Sequence, residues 1–249
     1  MSKQNQQLIY GRHPVLEALQ SDQSIDKVYL QKGTRGEFER ELRLACKARE
    51  IPMTIIPKEK LRRLVRGNHQ GVAAQLAAAA YQRITDVLPF LFEQGKNPLL
   101  LLLDGITDVR NLGAIARSAE ICGAHAIIIG QKNSAGLTAD AVKSSAGALG
   151  RIPVCREKSL INTIEYLQES GVRVAASDLQ AELDISELDS SAPICLILGS
   201  EGDGISQGVA RSSDLRFRLA QVGTLNSYNV SVAAGIMLYH CMLARMAHQ

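Results

Sequence analysis

Three short segments carry polar residues whose types and spacing could do chemistry. In the first, Asp104 to Ala124 (DGITDVRNLGAIARSAEICGA), Asn111 and Arg117 stand six residues apart. That spacing puts them on neighbouring but not identical faces near a helix start. The plain structural reading makes Asn111 a helix N-cap, which asparagine does well, and Arg117 a surface residue. Its small apolar neighbours Ala114, Ile115, Ala116 and Ala119 suggest a packed surface instead. In the second segment, Leu196 to Ser206 (LILGSEGDGIS), Gly199, Gly202 and Gly204 let backbone approach a ligand closely. The pattern G-x-x-G-x-G is not the dinucleotide fingerprint, and Glu201 and Asp203 would repel a pyrophosphate. A cationic or uncharged ligand suits the loop better. The third segment, Leu225 to Tyr239 (LNSYNVSVAAGIMLY), sets Asn226, Ser227 and Asn229 just before a very apolar helix. Capping accounts for one of these three, and the Val232, Ile236 and Tyr239 spacing reads as the core face of the helix.

These segments sit where a parallel sheet would position them. The five leucines of Leu99 to Leu103, a loop opening on Asp104-Gly105, a helix over 111–122 with Leu112, Ile115, Ala116 and Ala119 on one side, and the apolar run Ala126 to Ile129 form one βαβ unit. Further on, helices over about 139–145 and 160–169, strands at Val154, Arg173 to Ala176, Ile194 to Leu198 and Leu215 to Leu219, a short helix from Ser206 and a last helix over about 230–246 continue the alternation. The fold class is therefore α/β: a mostly parallel sheet covered by helices on both faces, with ligands expected at the carboxyl ends of its strands.

Residues 1–80 read as a separate small α/β domain, 81–97 as a linker and first helix, and 98–249 as the second domain. Up to residue 98 there are 16 Lys and Arg against 10 Asp and Glu; the remainder has 12 against 15. A basic partner surface thus belongs to the amino-terminal part. Arg12 and His13, then Lys58, Lys60, Arg62, Arg63, Arg66 and His69, cluster there. A solvated face is one reading and contact with a nucleic-acid backbone the other. No aromatic residue is interleaved in that cluster, so stacking platforms are not evident.

With 249 residues, 21% charged, and a mean hydropathy near zero, the chain reads as globular and cytoplasmic. Its amino terminus, MSKQNQQ, lacks an apolar signal core, and its longest weakly polar stretch is too short to span a bilayer. Five dispersed cysteines without C-x-x-C spacing argue against a disulfide framework or zinc site and for core filling. No histidines fall at i, i+4, so no metal is expected.

In this order and spacing the three segments closely resemble the motifs of the SpoU (TrmH) family of ribose 2'-O-methyltransferases: an Asn with an Arg six residues on, a G-x-E-G loop, and a terminal S-x-N-V-[SA], here Asn111, Arg117, Gly199 to Gly202, and Ser227 to Ser231. The amino-terminal part, opening on IYGRHPVLEAL and running to Ala79, looks like the substrate-binding domain of the subgroup called RlmB, which methylates a guanosine of large-subunit (23S) ribosomal RNA. The resemblance implies a deep trefoil knot in the second domain, S-adenosylmethionine bound in it at Gly199, Leu219 and Tyr228, and a homodimer with composite active sites. Tyr228 stands where leucine is common, so its expected contact is through main chain. It further implies that Arg117 activates the ribose hydroxyl, with Asn111, Glu201, Ser227 and Asn229 around it; from the charge cluster, Arg12, Lys60, Arg62, Arg63 and Arg66 are the residues expected to hold RNA. A guanidinium stays protonated in nearly every protein environment. A cation that fixes a phosphate and steadies a developing alkoxide therefore stands beside a true base as the role of Arg117. The alternatives are a transfer-RNA enzyme of the same family, a non-catalytic RNA-binding module, against which the intact polar set counts, and a nucleotide-dependent oxidoreductase, which lacks fingerprint and catalytic pair.

Overall fold

The computed structural model of the chain describes residues 8–200, 202–225 and 227–247. The polar amino-terminal stretch, Glu201 and Asn226 lie outside the described residues, and so do the readings attached to them. Two compact units divide the chain, one of residues up to 80 together with 136–139, the other of 81–135 and 140 onward.

The first unit runs β1 (Leu8–Tyr10), α1 (Arg12–Gln20), β2 (Ile25–Gln31), α2 (Glu37–Ala48), β3 (Met53–Ile56), α3 (Lys58–Leu64) and β4 (Val72–Leu76). Its sheet order is β1-β4-β2-β3, with only β2 and β3 parallel. Alternation along β2 buries Val28 and Leu30 against Val15 and Leu19 of α1 and Leu42 and Cys46 of α2. Leu137, fully buried, accepts a bond from the Ala78 amide at 2.6 Å, which ties 136–139 to this unit. The sequence reading placed all residues after 97 in the second domain and did not foresee this piece.

The second unit continues with α4 (Ile84–Glu93), β5 (Leu99–Asp104), α5 (Val109–Ile121), β6 (Ala126–Gly130), α6 (Ala139–Ser144), β7 (Val154–Glu157), α7 (Leu160–Glu169), β8 (Arg173–Ser177), β9 (Ile194–Gly199), α8 (Gln207–Ser212), β10 (Leu215–Phe217) and α9 (Val230–Met246). Its six strands are all parallel, in the order β10-β8-β9-β5-β6-β7. β5 and β9 lie at the centre, and the five leucines of β5 are at most 1% exposed. At about 1.5–3 kcal/mol for each fully buried leucine, this one strand anchors the core. Four of the five cysteines are buried and Cys122 is half-buried. Burial pushes the Cys46 thiol up to about 11 and Cys155 to about 12, as core filling requires.

Two sequence readings are corrected here. Helix α5 begins at Val109 because Asp108, not Asn111, caps it, accepting from the Arg110 amide at 2.7 Å. Asn111 thus lies inside the first turn. On α9 the core face is Val230, Ala234, Met237, Leu238 and Cys241, while Val232, Ile236, Tyr239 and Leu243 are between 39% and 54% exposed. The helix is apolar on both sides, and the pattern picked out in the sequence is the outer one.

Candidate functional site

The site is built where β5 and β9 end. Asp104 and Gly199 are register partners at those ends, so the residue closing one strand faces the glycine opening the loop from the other. Asp104 Oδ2 accepts from the Ser206 amide at 2.8 Å, and Ser200 and Gly204 exchange two backbone bonds of 3.0 and 3.1 Å. These three bonds bring Gly204 and Ser206 back onto the strand end. A side chain at Gly199 would overlap the backbone of Gly204 and Ile205, so the turn closes only on a glycine. Gly204 itself has φ 68, a left-handed conformation that glycine adopts without strain.

Beside this loop lies a cavity of about 440 Å³ between the ends of β8, β9 and β10 and the start of α9. Leu198, Phe217, Leu219, Val230 and Met237 form an apolar floor, and Gly199, Ser200, Ser227 and Tyr228 edge it. All three predicted cofactor residues, Gly199, Leu219 and Tyr228, are therefore on its walls. Tyr228 does more than offer main chain: its hydroxyl donates to the Ala220 carbonyl at 3.2 Å and closes the loop between β10 and α9 on itself.

The polar residues meet at the helix starts. Asn229 caps α9, its Oδ1 accepting from the Ser231 amide at 3.0 Å, while its Nδ2 donates to Asn111 Oδ1 at 3.3 Å. This contact joins the first turns of α5 and α9 beside the cavity edge formed by Ser227 and Tyr228. Arg117 is not brought to the same place. It is exposed on α5 and does not line the cavity. Six residues advance a helix by about 9 Å and turn it about 120° short of two full turns. The sequence reading missed Asp104 as the residue holding the glycine loop. Its signal was there, an acidic residue closing an apolar strand.

Of the predicted RNA-binding residues, Arg12 and Arg62 line a separate cleft in the first unit, whereas Lys60, Arg63 and Arg66 do not. Aromatic rings do accompany this surface: Arg12 lies over the Phe38 ring, 4.8 Å from its centroid, and the Tyr10 ring packs on Gly67. Both rings lie outside the basic run 58–69 in sequence. Among the described residues there is no group of three or more His, Cys, Asp or Glu placed to hold a metal, and no helix long and apolar enough to cross a membrane.

Comparison with known proteins agrees with this architecture. Residues 98–239 match the SpoU rRNA Methylase family and residues 8–82 match a family described as RNA 2'-O ribose methyltransferase substrate binding. The Bacillus subtilis protein YacO, whose name places it among TrmH family tRNA/rRNA methyltransferases, is 37% identical over 240 residues, covering 96% of each chain. Among solved structures, an AdoMet-bound rRNA methyltransferase from Sinorhizobium meliloti superposes with a TM-score of 0.60 at 24% identity, over 94% of this chain and 86% of that one. The SpoU methyltransferase AviRb from Streptomyces viridochromogenes, in complex with AdoMet, gives 0.61 at 22%, over 96% and 90%. At these identities the two structures speak for the fold.

Proposed function

The chain belongs to the SpoU rRNA methylase family, and we propose that it methylates a ribose 2'-hydroxyl in RNA with S-adenosylmethionine as donor, at a guanosine of large-subunit (23S) ribosomal RNA as in the RlmB subgroup. The observation that carries the reading is the cavity at the carboxyl ends of β8, β9 and β10, where ligands of open parallel sheets gather. Its volume lies in the range of small-ligand pockets. The apolar floor of Phe217, Leu219, Val230 and Met237 suits an adenine ring, and a backbone edge without side chain at Gly199 suits close approach. The loop itself bears Asp203, and the cavity wall carries one carboxylate, Asp178, against one cation, Arg218, a balance that suits a sulfonium better than a polyphosphate. Bound there, S-adenosylmethionine supplies an electrophilic methyl group.

What the chain contributes is placement and charge. Asn111 and Asn229 lock the starts of α5 and α9 together, which fixes the Ser227 and Tyr228 edge of the cavity. Arg117 is the cation that steadies the phosphate beside the target ribose and the charge on its 2'-oxygen as the proton leaves. Because Arg117 is exposed and does not line the cavity of its own chain, the active site is completed by a second copy. The exposed apolar face of α9, Val232, Ile236, Tyr239 and Leu243, on a helix packed against α5, is the surface on which that copy docks. Glu201 is assigned to orient the arginine and the trefoil knot to this unit, both from family resemblance. The enzyme is assigned to the cytoplasm.

The test is methyl transfer from labelled S-adenosylmethionine to large-subunit RNA lacking its native methylations, followed by alkaline hydrolysis. Label in an alkali-resistant dinucleotide containing guanosine is expected, and its loss in Arg117→Ala with melting and donor binding unchanged. Label on a base, or full activity in Arg117→Ala, overturns the reading. Label on transfer RNA alone moves it to the other substrate named for its relatives.

A further inference from the structure

The first unit holds a cleft of about 880 Å³ that methyl transfer does not use. Four cations line it: Arg12 at the start of α1, Arg35 in the loop after β2, and Lys58 and Arg62 on α3. Among the described residues no carboxylate does. Gln31 and Asn68 add side-chain amides, each able to donate and accept.

The walls are set before any ligand arrives. Buried His69 accepts from the Gly71 amide at Nδ1 (3.0 Å), and the Gln31 amide donates to the Gly71 carbonyl at 2.8 Å. Gln70 is held at φ 50 while its Oε1 accepts from the Arg12 amide at 3.0 Å. Side chains in this conformation are uncommon and cluster at functional sites. The ring of Phe38 under Arg12 fixes the plane of that guanidinium. Burial, with Arg62 and Lys58 nearby, lowers the pKa of His69, in the sense that favours Nδ1 as an acceptor.

Positive charge fits a phosphate, and two side-chain amides in the lining fit the hydrogen-bonding edge of a base. A base inside a helix is stacked and paired and cannot offer that edge to a pocket; an unpaired one can. We propose that this cleft takes one unstacked nucleotide of the RNA, with its phosphate between Arg12, Arg35, Lys58 and Arg62 and its base edge on Gln31 and Asn68. The proposal rests on RNA being the substrate, and it makes the first unit a reader of unpaired nucleotides rather than of helix.

The test is fluorescence anisotropy on the full chain without methyl donor, using two RNAs of equal length, a hairpin with an unpaired loop and a fully paired duplex. The hairpin is expected to bind about tenfold more tightly, the scale of one or two hydrogen bonds. Gln31→Ala with Asn68→Ala should abolish that preference at unchanged melting temperature. Arg35→Gln, on a loop, should weaken the hairpin more than the duplex. Combined Lys60→Ala, Arg63→Ala and Arg66→Ala, off the cleft, should weaken both RNAs and keep the preference. Equal binding of the two RNAs, or a preference that survives the Gln31 and Asn68 changes, overturns the proposal and leaves methyl transfer standing. Binding of neither RNA overturns the RNA reading itself.

Discussion

Gly199→Ala tests the construction of the donor cavity with a single methyl group. The Cβ it adds would come within 3.0 Å of the Gly204 carbonyl carbon and oxygen and the Ile205 nitrogen, all backbone. No rotamer relieves this, so the loop must retreat by roughly 1 Å. Overpacking of that kind costs about 1–3 kcal/mol. If instead the loop retreats far enough to break the two Ser200–Gly204 bonds and the bond from Ser206 to Asp104, the lost bonds alone cost about 3.5–5 kcal/mol, at about 1 kcal/mol for each neutral bond and about 1.5–3 for the carboxylate. For a protein of this size each kcal/mol lowers Tm by about 2–4 °C. The retreat also moves one wall of the cavity. Thermal melting with and without S-adenosylmethionine, and calorimetric titration of the donor, read both effects. A fall of at least about 2 °C and a donor affinity weakened about tenfold or more are expected, the latter being about 1.4 kcal/mol. A variant that melts within about 1 °C of wild type and binds the donor equally would refute the close approach at Gly199.

Arg245 of α9 donates to the carbonyls of Asn97, Pro98, Ser190 and Ala192 at 2.6–3.1 Å, clamping the segments that lead into β5 and β9. Arg245→Ala should cost about 3 kcal/mol in urea unfolding, and Arg245→Lys should recover only part of it, since one ammonium cannot span four carbonyls; an alanine variant of wild-type stability refutes the clamp. His69 and His125 each have a lowered pKa, caused first by burial and then by Arg62 and Lys58 or by Lys96 and Arg245. The unfolded chain therefore takes up these protons first, so their stabilisation is complete above about pH 6.5 and is lost as pH falls through the folded values. Denaturation midpoints measured from pH 7.5 down to 5.5 should fall, and a flat profile would count against neutral imidazoles in the fold. Ile236→Glu together with Leu243→Glu should turn a dimer into a monomer by light scattering and remove methyl transfer with it; activity retained in a monomer would sink the composite site.

Regularity decided how much of the fold was legible. Helices over 160–169 and 230–246 and the strand of five leucines coincide with α7, α9 and β5 because their apolar periodicity is unbroken. β7 was visible only at Val154 because its end is charged. There Glu157 is 4% exposed, accepts from the Ile84 amide at 2.8 Å and pairs with Arg83 at 3.2 Å. A buried carboxylate held by a helix start looks, in sequence, like a loop. The start of α5 was misplaced by two residues because Asp108 and Asn111 are both good caps and only the backbone decides between them.

The site was legible as composition and not as convergence. Asn111 and Asn229 touch across 118 positions, which no local spacing reveals, and Asp104 reaches Ser206 across 102. Asn111 and Arg117 were read onto neighbouring but not identical faces of one helix; Asn111 reaches Asn229, whereas Arg117 is exposed and does not line the cavity. Helical rotation explains the one misreading on α9. Val232, Ile236 and Tyr239 are a regular apolar stripe, and a stripe of that kind is a core face when one sheet is the only partner available. On α9 the sheet is already covered by Ala234, Leu238 and Cys241, so the outer stripe needs a different partner. An arginine that does not line the donor cavity and an exposed apolar face, on two helices packed together, are both accounted for by the proposed second copy of the chain.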